Sequence, residues 1–141
     1  MAAGSGTDDA ASSLVVREDE SPWTAEELEH VRGQLQADRE RLVQEMAATE
    51  EGIAALLRDS VEGAGNDQAD IGSTSLERDA EMSLVHNARE MLFQVEHALA
   101  RTADGTYGVC ESCGKPIGKQ RLLAFPRATL CVTCKQREER R

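Results

Sequence analysis

The sequence predicts a mainly α protein: a long antiparallel coiled-coil helical hairpin followed by a small C-terminal four-cysteine module. Three observations point there. Only 3% of the 141 residues are aromatic while 30% are charged, which leaves too little bulky apolar material for a β-sandwich or a doubly wound α/β core. Two long segments carry narrow apolar stripes at helical spacing, the mark of a coiled-coil seam rather than a globular core. Four cysteines, two CxxC pairs, are confined to the last third of the chain.

Residues 1–22 are rich in Ala, Gly, Ser and acids, and are expected to be a disordered arm. Their one apolar patch, Leu14-Val15-Val16, is expected to stay in solvent. The hairpin is expected over residues 23–104. Its first helix opens where Thr24 and Glu27 stand three apart, the spacing of a capping box. Leu28, Val31, Leu35, Leu42, Met46, Ile53 and Leu57 then draw one stripe as far as about Arg58. Gly63, Gly65 and Gly72, with Asn66, Asp67 and Asp70, mark a break and a tip near 60–74. A second capping box, Thr74 with Glu77, is expected to open the return helix. Its stripe reads Leu76, Ala80, Leu84, Ala88, Met91, Val95 and Ala98, fading near Ala103. Two helices joined by so short a break fold back on each other, and arms of 30 to 35 residues would run about 45 to 50 Å.

Residues 105–141 form the expected module, ending in a short helix. Cys110 and Cys113 make one CxxC, Cys131 and Cys134 the other, with 17 residues between the pairs. Each CxxC turn presents two thiolates on one side of a loop, and two such turns complete a tetrahedron around Zn²⁺. Gly114 suits a knuckle that needs positive φ. Four thiolates leave the site at −2, and Lys115, Lys119 and Lys135 stand nearby in sequence to offset it. Disulfides would need an oxidising compartment that nothing here signals. A redox CxxC would need a βαβ scaffold, and a zinc deaminase an H-x-E with an open coordination position. None of these is present, and His30, His86 and His97 fall on predicted helices. One structural zinc per chain is therefore expected, held by Cys110, Cys113, Cys131 and Cys134, with no catalytic residues.

Charge narrows the function. The chain carries −10, but from Gly105 onward eight basic residues oppose three acids, a local +5 against −15 in the remainder. An acidic body disfavours sequence-independent DNA binding. A zinc-ribbon nucleic-acid binder acting through the basic C-terminal segment is the alternative reading. No nucleophile–base pair, open metal site or phosphate loop suggests an enzyme. No apolar run approaches the roughly 18 residues of a membrane span, so a cytoplasmic monomer without membrane contact is expected.

The segment GTYGVCESCGKPIGKQRLLAFPRATLCVTC, Gly105 to Cys134, closely resembles the zinc finger of the DksA/TraR family of bacterial transcription regulators. The likeness reaches back over the hairpin to about Thr24. It implies a protein that binds RNA polymerase directly and inserts its coiled-coil tip into the secondary channel to modulate initiation, without sequence-specific DNA binding. It also implies that tip acids in a D-x-x-D-x-A pattern work near the polymerase active site. Asp67 and Asp70 match that pattern here, and Gly72 replaces its alanine. The family's joint binding of the alarmone ppGpp rests on basic residues on the second helix and before the third cysteine. Ungapped matching puts Asn87, Gln94 and Phe125 at those places, so ppGpp is not expected as a cofactor. Lys135 does match, as a phosphate or polymerase contact.

Overall fold

The computed structural model describes residues 10–62 and 68–140. Among the described residues from Ala25 on, the helices in order are α1 (Ala25–Glu62), α2 (Gln68–Asp104), α3 (Lys119–Ala124) and α4 (Val132–Glu139). Among the described residues there is no strand, only an isolated antiparallel bridge between Val109 and Pro116. Among them, too, no helix is long and apolar enough to cross a membrane.

The start of α1 forms as the capping box dictates. Thr24 N–H donates to Glu27 Oε1 at 3.0 Å, and Glu27 N–H returns to Thr24 Oγ1 at 3.1 Å. The second capping box does not open a helix: α2 begins at Gln68, and Thr74 lies inside it. Gly and Ser in a helix interior cost at most about 1 kcal/mol each, which packing along a long helix overrides. Likewise α1 runs on to Glu62, past the expected end at Arg58.

Among the described residues, those at 10–37 and 94–140 form one compact unit, and those within Asp38–Phe93 another. In the first unit Leu28, Val31 and Leu35 of α1 and Val95 and Ala98 of α2 are buried. There Arg32 Nη2 donates to the Thr102 carbonyl at 3.0 Å and its Nε to Thr102 Oγ1 at 3.2 Å. Trp23 and Tyr107 pack with ring centroids 5.8 Å apart, and Leu122 of α3 is fully buried. Residues 10–22 correct the disordered-arm expectation over the part described. Residues 10–12 make a helical turn, and Ala11 and Leu14 are buried.

In the second unit the helices run antiparallel, with Arg89 reaching Glu50 at 3.5 Å and Gly52 lying near Glu81. Among its described residues, Leu42 and Val85 are buried. The expected partner residues on α2 are partly wrong. Leu84 is 59% exposed and Leu76 73%, Ala80 is exposed, and on α1 Leu57 is 44% exposed. Between Ser75 and Val95 of α2 the buried or half-buried positions are 75, 78, 81, 85, 88, 91, 92 and 95, so Ala88, Met91 and Val95 of the expected stripe do lie on the covered side.

Candidate metal centre

The first CxxC is presented by the turn that leaves α2. The Arg101 carbonyl accepts N–H groups from Gly105, Thr106 and Tyr107, closing the helix. Its buried guanidinium then holds the next segment, donating through Nη2 to the Thr106 and Val109 carbonyls, both at 2.7 Å. Nη1 lies 3.4 Å from Glu111, which His97 Nε2 also contacts. Gly108 sits at φ +96°, and a Cβ there would stand 3.3 Å from Leu122 and 3.5 Å from Val15, so only glycine fits. Around the cysteines the backbone forms a knuckle. Cys110 N–H donates to Lys115 O at 2.8 Å, and Gly114, at φ +76°, returns its N–H to Cys110 O at 3.0 Å.

The second CxxC straddles the start of α4. Cys131 is its N-cap and Cys134 lies in the first turn, so helical spacing sets the two sulfurs on one side. Glu111 N–H to Thr129 O at 2.9 Å ties the two halves together. The four Sγ atoms all lie within 4.8 Å of one another, and Cys113 and Cys131 are 3.8 Å apart. A tetrahedron with Zn–S bonds of about 2.3 Å has edges of about 3.8 Å. The donor set fits Zn²⁺, and with four thiolates it closes the coordination sphere, as a structural site requires.

The protein prepares one sulfur for this charge. Burial alone would raise the Cys110 thiol, but N–H groups of Cys113, Cys131 and Ser112 outweigh it and bring the pKa down to about 6. The Cys131 N–H stands 3.4 Å from that sulfur. At Cys134 a hydrogen bond from Ser112 lowers the pKa, yet the neighbouring cysteines and burial prevail and push it up to about 11. A divalent cation reverses that penalty, since a coordinated thiol is deprotonated outright.

All four predicted ligands thus converge. Among the other site residues, Asp67 lies outside the described residues, while Asp70 and Gly72 fall within α2, Gly72 exposed. Lys135 is exposed on α4 and borders a cavity of about 220 Å³ with Gln94, Arg121, Arg127 and Glu138. Lys119 does not serve the zinc charge as expected. It is 3% exposed, with Nζ 2.8 Å from Ser21 Oγ and 3.2 Å from Glu27 Oε1. Glu20, Arg101 and Lys119 carry the module's polar framework; sequence reasoning passed over Glu20 and Arg101 and gave Lys119 a different role. Only Glu27 had a signal, its capping box.

Comparison with known proteins agrees with this geometry. The model of the prokaryotic dksA/traR C4-type zinc finger matches residues 105–140. The RNA polymerase-binding transcription factor DksA of Caulobacter vibrioides is 35% identical over 124 residues, covering 88% of this chain and 84% of that protein. This chain belongs to the DksA/TraR family. The DksA of Haemophilus influenzae is 31% identical over 120 residues, 85% of this chain and 79% of its own. Among solved structures, the transcription factor DksA2 from Pseudomonas aeruginosa matches with a TM-score of 0.67 at 32% identity, covering 81% of this chain and 84% of that one. As in its DksA/TraR relatives, the four-cysteine cluster is a C4-type zinc site.

Proposed function

We propose that this protein is a bacterial transcription regulator that binds RNA polymerase directly and acts in the cytoplasm as a monomer. It catalyses no reaction and reads no DNA sequence. The observation that carries this reading is the likeness to polymerase-binding DksA proteins over most of the length of both chains, hairpin and zinc module together. The hairpin enters the polymerase secondary channel by the end that carries Asp67, Asp70 and Gly72. There the two aspartates bring negative charge to a region rich in bound metal and basic side chains, which favours them electrostatically. Lys135, beside Arg121 and Arg127, contacts polymerase or a phosphate group. ppGpp is not among the proposed ligands.

Co-purification with bacterial RNA polymerase core, followed by transcription in vitro, tests the reading. The parent chain should bind polymerase and change initiation. Asp67→Asn with Asp70→Asn should keep fold, zinc and polymerase binding while the effect on transcription largely vanishes. A double variant as active as the parent would remove the tip from the mechanism. A parent that ignores polymerase but binds DNA or RNA alone, with strong salt dependence, would favour the nucleic-acid alternative.

A further inference from the structure

Helix α3 starts at Gly118 without a capping side chain of its own. The carboxylate of Glu20 fills that role from far along the chain. Its Oε1 accepts Lys119 N–H at 2.9 Å and its Oε2 accepts Gln120 N–H at 3.0 Å. The same carboxylate accepts Arg17 N–H at 2.8 Å, which fixes the turn of its own segment. Lys119 answers in the opposite direction, its buried ammonium donating to Ser21 Oγ and to Glu27. Apolar contact accompanies this exchange. Leu14 is buried, Val15 lies against Gly108, and a Cβ on Gly118 would stand 3.1 Å from Arg17 Cδ. The N-terminal segment therefore grips both ends of the Gly108–Gly118 loop, and that loop carries Cys110 and Cys113.

Elsewhere the loop is held by Arg101 on the Val109 carbonyl and by Glu111 N–H on Thr129 O, and the N-terminal segment adds contacts at the loop's two ends. Its two ends are glycines at positive φ, and one isolated bridge, Val109 to Pro116, spans it. A loop with glycine ends has much freedom to lose on ordering, so any contact that restricts it beforehand favours the metal-binding form. We propose that residues 14–21 are a positioning strap for the metal centre, docked through Glu20 and Lys119. The strap holds the first CxxC in place, so its docking slows zinc loss, and zinc in turn keeps the strap docked. Linkage requires the two effects on binding free energy to be reciprocal: docking raises zinc affinity by the factor by which zinc favours docking.

The test uses the full-length, zinc-loaded chain mixed with an excess of a chromogenic zinc chelator at neutral pH. Glu20→Ala should release zinc faster than the parent, on the order of tenfold, a typical coupling between two sites expressed in the off-rate. Glu20→Gln, which keeps the side chain's shape and loses its charge, should fall between. The reciprocal arm needs no substitution: trypsin cleavage after Arg17, read by mass, should accelerate in the parent once its zinc is withdrawn. Zinc release from both variants at the parent rate overturns the strap. So does an Arg17 cleavage rate indifferent to zinc. If Glu20→Ala fails to fold, as circular dichroism would reveal, Glu20→Gln and the unmodified chain decide the matter.

Discussion

Glu27 serves two structures with one carboxylate. It closes the capping box of α1 with Thr24 and is the only carboxylate within ion-pair distance of the buried Lys119 ammonium among the described residues. The two roles differ in energy. Thr24→Ala should cost about 1 kcal/mol, the usual loss for a cap. Glu27→Ala should cost about 3 kcal/mol, because it also strands a buried cation. Unfolding followed by the fluorescence of Trp23, the single tryptophan, measures both, and equal losses would mean that Lys119 finds another partner. Glu20 adds a pH dependence. Burial alone would raise its carboxyl, but the N–H groups of Gln120, Arg17 and Lys119 outweigh it and hold the pKa below the ordinary 4.5. A depressed carboxylate stabilises the fold fully above its unfolded pKa and loses that contribution as pH falls through the folded value. The stability gap between the parent and Glu20→Gln should therefore be widest near neutrality and close below about pH 4.5. A gap that stays constant on acidification would show that the charge contributes nothing.

The helices show how far periodicity reaches. On α1 the stripe through Leu28, Val31, Leu35 and Leu42 steps by three, four and seven, and all four residues are buried. On α2 the expected stripe runs Leu76, Ala80, Leu84 and Ala88, every step a four. At 3.6 residues per turn each step of four advances about 40° around the helix, so such a run leaves the seam within two or three steps. Alternating threes and fours stay on it, which is why Val85 is buried and Leu84 faces solvent. Leu42→Ala should accordingly cost about 2 to 3 kcal/mol, and Leu84→Ala within about 0.5 kcal/mol of nothing. Thermal unfolding followed by circular dichroism separates the two, and a large loss at Leu84 would move the seam. The N-terminal segment went unread for a different reason. Its composition is that of a solvated tail, and only the loops it meets give Leu14 and Glu20 partners.

Over the whole molecule, the zinc module is more than its own 37 residues. Tyr107, three positions before Cys110, packs against Trp23 and donates its hydroxyl to the Pro126 carbonyl at 2.9 Å. Withdrawing zinc with a chelator should thus expose Trp23 and shift its emission to the red, while the helical signal of Asp38–Phe93, a compact unit by itself, persists. Unchanged Trp23 emission would show that the aromatic pair outlives the metal. The sequence alone determined the helical class, the first cap, most of the α1 seam and the complete zinc ligand set. Each rests on contacts a few residues apart or on chemistry with one solution, as four thiolates at CxxC spacing have. Tertiary structure decided what depends on partners distant in sequence: which face of α2 is covered, where α2 begins, and what Lys119 pairs with. Glu20 and Lys119 lie 99 positions apart, and no local pattern relates a carboxylate in a polar tail to the amides of a six-residue helix. Only the folded chain brings them within hydrogen-bond reach.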